Sequence, residues 1–138
     1  MKSLAIDFGS KRLGFAVGHR ETGLVTPLST LKRISLQADL QTILHLIEEH
    51  EAQELIIGHP SHMDGSESAL SKQVDQFVSF LKRRIPVPIR LMDERLSSHE
   101  AEGRLYELPS PFIRHKSALD AMSAVVILER YFALEPKP

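Results

Sequence analysis

Two short apolar segments, Leu4–Phe8 and Leu13–Val17, flank Gly9-Ser10-Lys11-Arg12. The pattern predicts a β-hairpin closed by a glycine-containing turn. Gly18 and Gly23 bracket a second polar turn, and Leu24–Leu31 follows as a third strand, in which Pro27 points to an edge or a bulge. Leu36, Leu40, Ile43, Leu44 and Ile47 then recur at helical spacing, which predicts an amphipathic helix over 36–50. Glu54–Gly58 is a short continuous apolar strand of the kind covered on both faces.

His59–Ser66 is rich in turn residues and reads as a loop. Leu70, Val74, Phe77 and Leu81 mark a helix over about 67–84. Pro86 and Pro88 end it and open a strand over Val87–Met92. Ser97-x-x-Glu100 is a capping box for a helix reaching about Leu108, where Pro109 and Pro111 break it. The last helix, about 117–133, is apolar on most sides and so substantially buried. The order β-β-β-α-β-α-β-α-α predicts a single α/β domain over 1–138. Three leading antiparallel strands and later β-α-β crossovers form a mixed five-stranded sheet with helices on both faces.

Composition narrows the functional classes. No apolar run approaches the ~20 residues needed to span a bilayer, and the chain passes from one lysine straight into a strand pattern, unlike a signal peptide. Without cysteine, disulfides and thiolate metal sites are excluded, so any metal would take oxygen or imidazole ligands. Seventeen basic and eighteen acidic residues give a net charge of −1, not the broadly basic footprint of a general polyanion binder. The cations do cluster, at Lys11-Arg12, Lys32-Arg33, Lys82-Arg83-Arg84 and Arg114-His115-Lys116. Each cluster alone reads as a solvated face.

Asp7 interrupts a segment otherwise built for burial, one residue before a glycine-bearing turn. A buried carboxylate is costly unless hydrogen bonds or a cation compensate it. Asp93 and Glu94 follow the last strand, and Asp120 sits in the first turn of the last helix. If strands one and four are neighbours, their ends can lie side by side, with the last helix packed across them. Three carboxylates at one point suit hard divalent ions such as Mg²⁺. Two such ions can stabilise the attacking and leaving oxygens of a phosphodiester displacement. Simpler readings stand beside this one: Asp7 as a turn residue, Asp93 and Glu94 paired with Arg95, and Asp120 as a capping residue.

The stretches AIDFGSKRLGFAVG, IIGHPSHMDGS, IPVPIRLMDERLSSHEAEGRL and KSALDAMSAVVILERYF resemble the YqgF (RuvX-like) family. These are Holliday junction resolvases and pre-16S rRNA nucleases of the RNase H-like fold, and the resemblance covers nearly the whole chain. It implies that Asp7, Glu94 and Asp120 are the catalytic and metal-binding acids, with Glu94 rather than Asp93 facing the metal. It implies an endonuclease using Mg²⁺ or Mn²⁺, with two ions, that matures the 5′ end of 16S rRNA precursor in the bacterial cytoplasm. Departures from the family pattern are His59 at an apolar position, Ser97-Ser98 for threonines, Ser123-Ala124 for an Ala-Ala pair, and a shorter basic run at Arg114-His115-Lys116.

Beside the acids, Gly9 would let backbone approach the scissile phosphate. Lys11, Arg12, Arg95 and Lys116 would bind substrate phosphates. His59-x-x-His62 lacks a third ligand nearby and suits a closing loop better than zinc. Phe8 and Phe15 fit the core better than base stacking. The expected partner is nucleic acid, with a structured RNA precursor favoured over branched DNA. No dimer-forming stripe is evident, which favours a monomer over a homodimer. Two other readings are an actin-like ATPase, which needs two such domains, and a non-catalytic nucleic-acid-binding or ribosome-assembly factor.

Overall fold

The computed structural model describes residues 1–59, 69–93 and 116–134. Five strands form one sheet: β1 (Lys2–Phe8), β2 (Arg12–His19), β3 (Val25–Lys32), β4 (Glu54–His59) and β5 (Ile89–Asp93). Among the described residues, three helices accompany them: α1 (Leu36–His50), α2 (Ala69–Lys82) and α3 (Lys116–Leu134). The strand order is β3-β2-β1-β4-β5. β1–β2 and β2–β3 are antiparallel, whereas β1–β4 and β4–β5 are parallel. The mixed five-stranded sheet is therefore the expected one, with strands one and four adjacent. The helix expected after Ser97 lies outside the described residues.

Alternation along the strands divides the core between two faces. Leu4, Ile6, Phe8, Leu13, Phe15, Leu55 and Ile57 point to one face, where α1 brings Leu40, Ile43 and Ile47, and α2 brings Val74, Phe77 and Leu81. Phe8 and Phe77 meet there with ring centroids 4.9 Å apart. The opposite face carries Ala5, Ala16 and Ile56, and α3 covers it with Met122, Val125, Ile127, Leu128 and Tyr131. Gly18 shows how closely α3 approaches: a Cβ there would sit 3.0 Å from both Leu128 Cδ2 and Phe132 Cε2. Phe8 and Phe15 are core residues, as expected.

Local chemistry sets the element ends. Ser35 caps α1, its hydroxyl accepting from the Ala38 N–H at 3.1 Å. Gly23 takes a positive φ of 73° in the turn that returns β2 to β3. Pro27 lies on edge strand β3, opposite Ala16, where the register shifts between Gly14 and Ala16. β5 runs over Ile89–Asp93 rather than Val87–Met92. Pro86 and Pro88 have no N–H to give a ladder, and pairing starts only where the Pro88 carbonyl accepts from Leu55 N–H at 2.9 Å. Among the described residues, no helix is long and apolar enough to cross a membrane.

Candidate active site

The three parallel strands β1, β4 and β5 end at one edge of the sheet, with Phe8, His59 and Asp93 as their last residues. Asp7 stands one position inside that edge and is partly buried. It alternates with Ala5, which packs on Ile127 and Leu128, so it belongs to the face that carries α3. Across the ladder Asp7 faces Gly14, and Gly14 in turn faces Thr30 of β3. Beside this carboxylate the neighbouring strand therefore presents no side chain. Arg12 and Lys32, themselves register partners, lie one step further towards the edge on the same face.

The course of α3 follows from its other end. Tyr131 donates its hydroxyl to Glu54 Oε1 at 3.0 Å, and Ser3 donates to Glu54 Oε2 at 2.6 Å, both at the start of β1 and β4. From there α3 runs over Ala5 and Ile56 through Ile127 and Leu128, then over Ala16 through Met122 and Val125. Asp120 is eleven residues before Tyr131, about 17 Å at a helical rise of about 1.5 Å. Asp7 is four residues beyond Ser3, about 13 Å at about 3.3 Å each. The two lengths are comparable, so α3 runs from the Glu54 end of the sheet towards the end at which Asp7 stands, its first turn, Lys116 to Asp120, leading.

The turn after Asp7 is tight. Gly9 N–H donates to the Arg12 carbonyl at 2.8 Å, and a Cβ on Gly9 would meet that same oxygen at 2.8 Å, closer than real Cβ atoms come. Glycine is thus required here by contact rather than by φ. Lys11 is exposed and Arg12 half-buried. Behind the turn lies Arg33. Its backbone N–H donates to the Lys11 carbonyl at 2.9 Å, its Nη1 to the Gly9 carbonyl at 3.3 Å, and its Nε to Asp39 Oδ2 at 2.8 Å. The guanidinium also lies over the Phe8 ring at 4.6 Å and the Phe77 ring at 5.5 Å.

The expectation that Lys32-Arg33 is simply a solvated face is corrected for Arg33, whose side chain is 16% exposed and paired with a fully buried Asp39. A signal existed, because Asp39 lies within the apolar stripe of α1, between Leu36 and Ile43. Its partner could not be read from spacing. Gly14 was missed as the neighbour of Asp7, and Thr30 as the neighbour of Gly14, although Gly14 lies within the AIDFGSKRLGFAVG stretch. His59 ends β4, and its Nε2 lies 3.1 Å from Asp75 Oδ1 of α2. Glu94, Arg95 and His62 lie outside the described residues. Within the described residues, no three His, Cys, Asp or Glu side chains are grouped to hold a metal ion.

The opposite edge holds the best-defined charge network. Glu54 is fully buried and receives Arg20 Nη2 at 3.1 Å and Arg90 Nε at 3.2 Å besides Ser3 and Tyr131. Burial raises the Tyr131 phenol above its ordinary range, and its hydrogen bond to Glu54 and the charge of Glu54 add to this, against a lowering by Arg90 and Arg20. Burial opposes the charge of Arg20, yet Glu54 and Tyr131 together hold its guanidinium above the usual value.

Comparison with known structures places this architecture in a class. Thermus thermophilus RuvC in complex with a Holliday junction substrate superposes with a TM-score of 0.59 at 14% identity, covering 96% of this chain and 93% of that one. The fowlpox virus resolvase bound to Holliday junction DNA gives 0.60 at 8% identity, covering 98% and 100%. The fold is RNase H-like, as the sequence resemblance implied.

A family model described as RuvX, Holliday junction resolvase, matches residues 1–134, and the chain belongs to that family. Relatives from Escherichia coli O157:H7 and from Escherichia coli K12 (DH10B), both called "Putative pre-16S rRNA nuclease", are each 40% identical over 129 residues, 94% of either chain.

Proposed function

We propose that this protein is a divalent-metal-dependent endonuclease that hydrolyses phosphodiester bonds in nucleic acid, acting in 5′-end maturation of the 16S rRNA precursor. The observation that carries the proposal is the placement of Asp7 on the α3 face of the sheet edge to which α3 brings its first turn. Family membership and the 40% identical relatives support the nuclease class and the rRNA role. The cytoplasm of a bacterial cell is the location consistent with those relatives and with a cysteine-free chain.

The donor set fits a hard cation. Asp7, Glu94 and Asp120 offer only oxygen, and Mg²⁺ or Mn²⁺ prefers such ligands. The glycine opposite Asp7 leaves space beside its carboxylate. Glu94 rather than Asp93 is taken as the third acid because the family resemblance implies it. When bound, divalent ions supply Lewis-acid polarisation of the scissile phosphate and ease formation of hydroxide. The chain's own part is to hold them through Asp7, Glu94 and Asp120 and to orient the attacking water from Asp7 or Glu94. Lys11, Arg12, Arg95 and Lys116 hold the phosphates, and Gly9 lets the backbone come close. No histidine base is needed. Contacts of this kind fix position rather than base sequence.

A second reading, resolution of four-way DNA junctions, follows from the family description. A side-by-side cleavage assay separates the two. The proposal predicts that a 5′-extended 16S precursor is cut only when Mg²⁺ or Mn²⁺ is present, and faster than a synthetic four-way junction. Faster, symmetric cutting of the junction would favour the resolvase. Failure to cut either substrate with both ions supplied would remove the nuclease and leave a binding or assembly factor.

A further inference from the structure

The end of β3 and its link to α1 combine features that a stable surface would ordinarily avoid. Arg12 and Lys32 are direct cross-strand partners, so two cations face each other on the side that carries Asp7. Like charges directly opposite in a ladder are destabilising. Neither makes an ion pair or side-chain hydrogen bond with another described residue, nor does Lys11 beside them. Two positions beyond Lys32, Ile34 is 85% exposed, more than any other large apolar residue among those described. A single exposed apolar side chain is ordinary. This one is held in place on both sides: Arg33 is fixed by five contacts to Lys11, Gly9, Asp39, Phe8 and Phe77, and Ser35 is fixed as the cap of α1.

We infer that Lys32 and Ile34 form an outer substrate contact, in which Lys11, Arg12 and Lys32 hold successive phosphates of a nucleic-acid strand and Ile34 packs against an unpaired base of it. The occupant follows from charge and shape. Three cations without a partner among the described residues, beside an exposed apolar residue whose chain neighbours are fixed, suit a polyanion that also exposes apolar faces, and an unstacked strand supplies both. A regular duplex hides its base faces in the stack and offers Ile34 nothing to cover. Arg33 is the positioning residue of this arrangement, since it ties the phosphate-binding turn to the link that presents Ile34. The inference rests on the nucleic-acid reading of the Asp7 edge and names a part of the substrate, an unpaired segment, that the reading leaves open.

The test is binding of the full chain, without divalent ions, to a fluorescein-labelled unpaired oligoribonucleotide and to the same strand annealed to its complement, followed by anisotropy. Ile34→Ser is expected to weaken binding to the unpaired strand about tenfold, the worth of one buried apolar side chain, and to leave duplex binding within about twofold. Lys32→Ala is expected to weaken both and to flatten the salt dependence on the unpaired strand by about 0.7 in log–log slope. Both positions are open enough that thermal unfolding should match the wild type. Wild-type binding by both variants would overturn the inference, as would an equal loss for Ile34→Ser on both probes. Wild-type cleavage serves as the separate readout. Absent cleavage with Ile34-dependent binding would sink the nuclease and keep this contact, whereas normal cleavage with unaffected variant binding would do the reverse.

Discussion

Glu54 begins β4 and Asp7 stands near the end of β1, so two carboxylates mark opposite edges of the same pair of parallel strands. Glu54 is fully buried, and two guanidiniums, a hydroxyl and a phenol surround it. Every lone pair direction there is taken up by the protein itself, and the result is a clamp joining β1, β4, β5, α3 and Arg20, the residue that follows β2. Asp7 is only partly buried, beside a glycine, at the edge towards which α3 brings its first turn. The first carboxylate has been neutralised from within the chain. The second is only partly buried, with a glycine as its register partner. One edge is built for stability, and the other carries the candidate site.

The largest difference between the edges should appear in activity. Asp7→Asn keeps the shape of the side chain while removing its charge. It is expected to lower cleavage at least about a hundredfold, beyond the cost of losing an outer-shell partner of a metal, with thermal stability within about 1 kcal/mol of wild type. Glu54→Ala should give the opposite pattern. It leaves Arg20 facing a buried void and is expected to cost about 3–5 kcal/mol in denaturant unfolding. Among molecules still folded, cleavage per folded chain should persist. If Glu54→Ala abolished cleavage in the folded fraction, the division between the edges would be wrong.

Arg33→Met tests how the active edge is held. It keeps much of the packing on Phe8 and Phe77 but leaves Asp39 buried without its cation. An unfolding loss of about 2 kcal/mol is expected from the hydrogen bond to the charged group. The smallest effect belongs to Tyr131→Phe, which removes the hydrogen bond donated to Glu54 and the one accepted from Arg20 at 3.1 Å; about 1 kcal/mol at neutral pH is expected, because Glu54 and Arg20 keep each other as partners. Its pH signature is more telling. Burial raises the Tyr131 pKa, so the neutral phenol is the form that the fold favours. That contribution is fully present below the unfolded value of about 10 and is lost as pH rises through the higher folded value. Wild type should therefore lose stability in that alkaline window more steeply than Tyr131→Phe. A phenolate absorbance titration should show one of the two tyrosines ionising late, and the variant should lack that phase.

Much of this architecture can be read from the chain alone because it rests on local rules. The hairpin at Gly9–Arg12, the helix over 36–50 and the strand after Glu54 each carry their own periodicity and turn chemistry. Pro27 announces the edge strand and its irregular register in the same way. The boundaries of β5 could not be read so easily, because they depend on which residue first meets Leu55 across the sheet. The buried carboxylates Asp39 and Glu54 and their cationic partners were also hidden. Arg33 and Asp39 look like surface charges until the β3–α1 link folds back under the hairpin. Glu54 looks like the polar start of an apolar strand until Arg20, Arg90 and Tyr131 arrive from 34, 36 and 77 residues away. For the candidate site, the motif order around Asp7 and the resemblance supplied the acids, while the face and edge on which Asp7 stands come from topology.

The most direct test of the account is Mn²⁺ binding by calorimetry on four proteins: wild type, Asp7→Asn, Asp120→Asn and Glu54→Gln. The account predicts that wild type and Glu54→Gln bind the ion alike, and that each aspartate variant loses at least about tenfold in affinity. Equal Mn²⁺ affinity in wild type and both aspartate variants would contradict it.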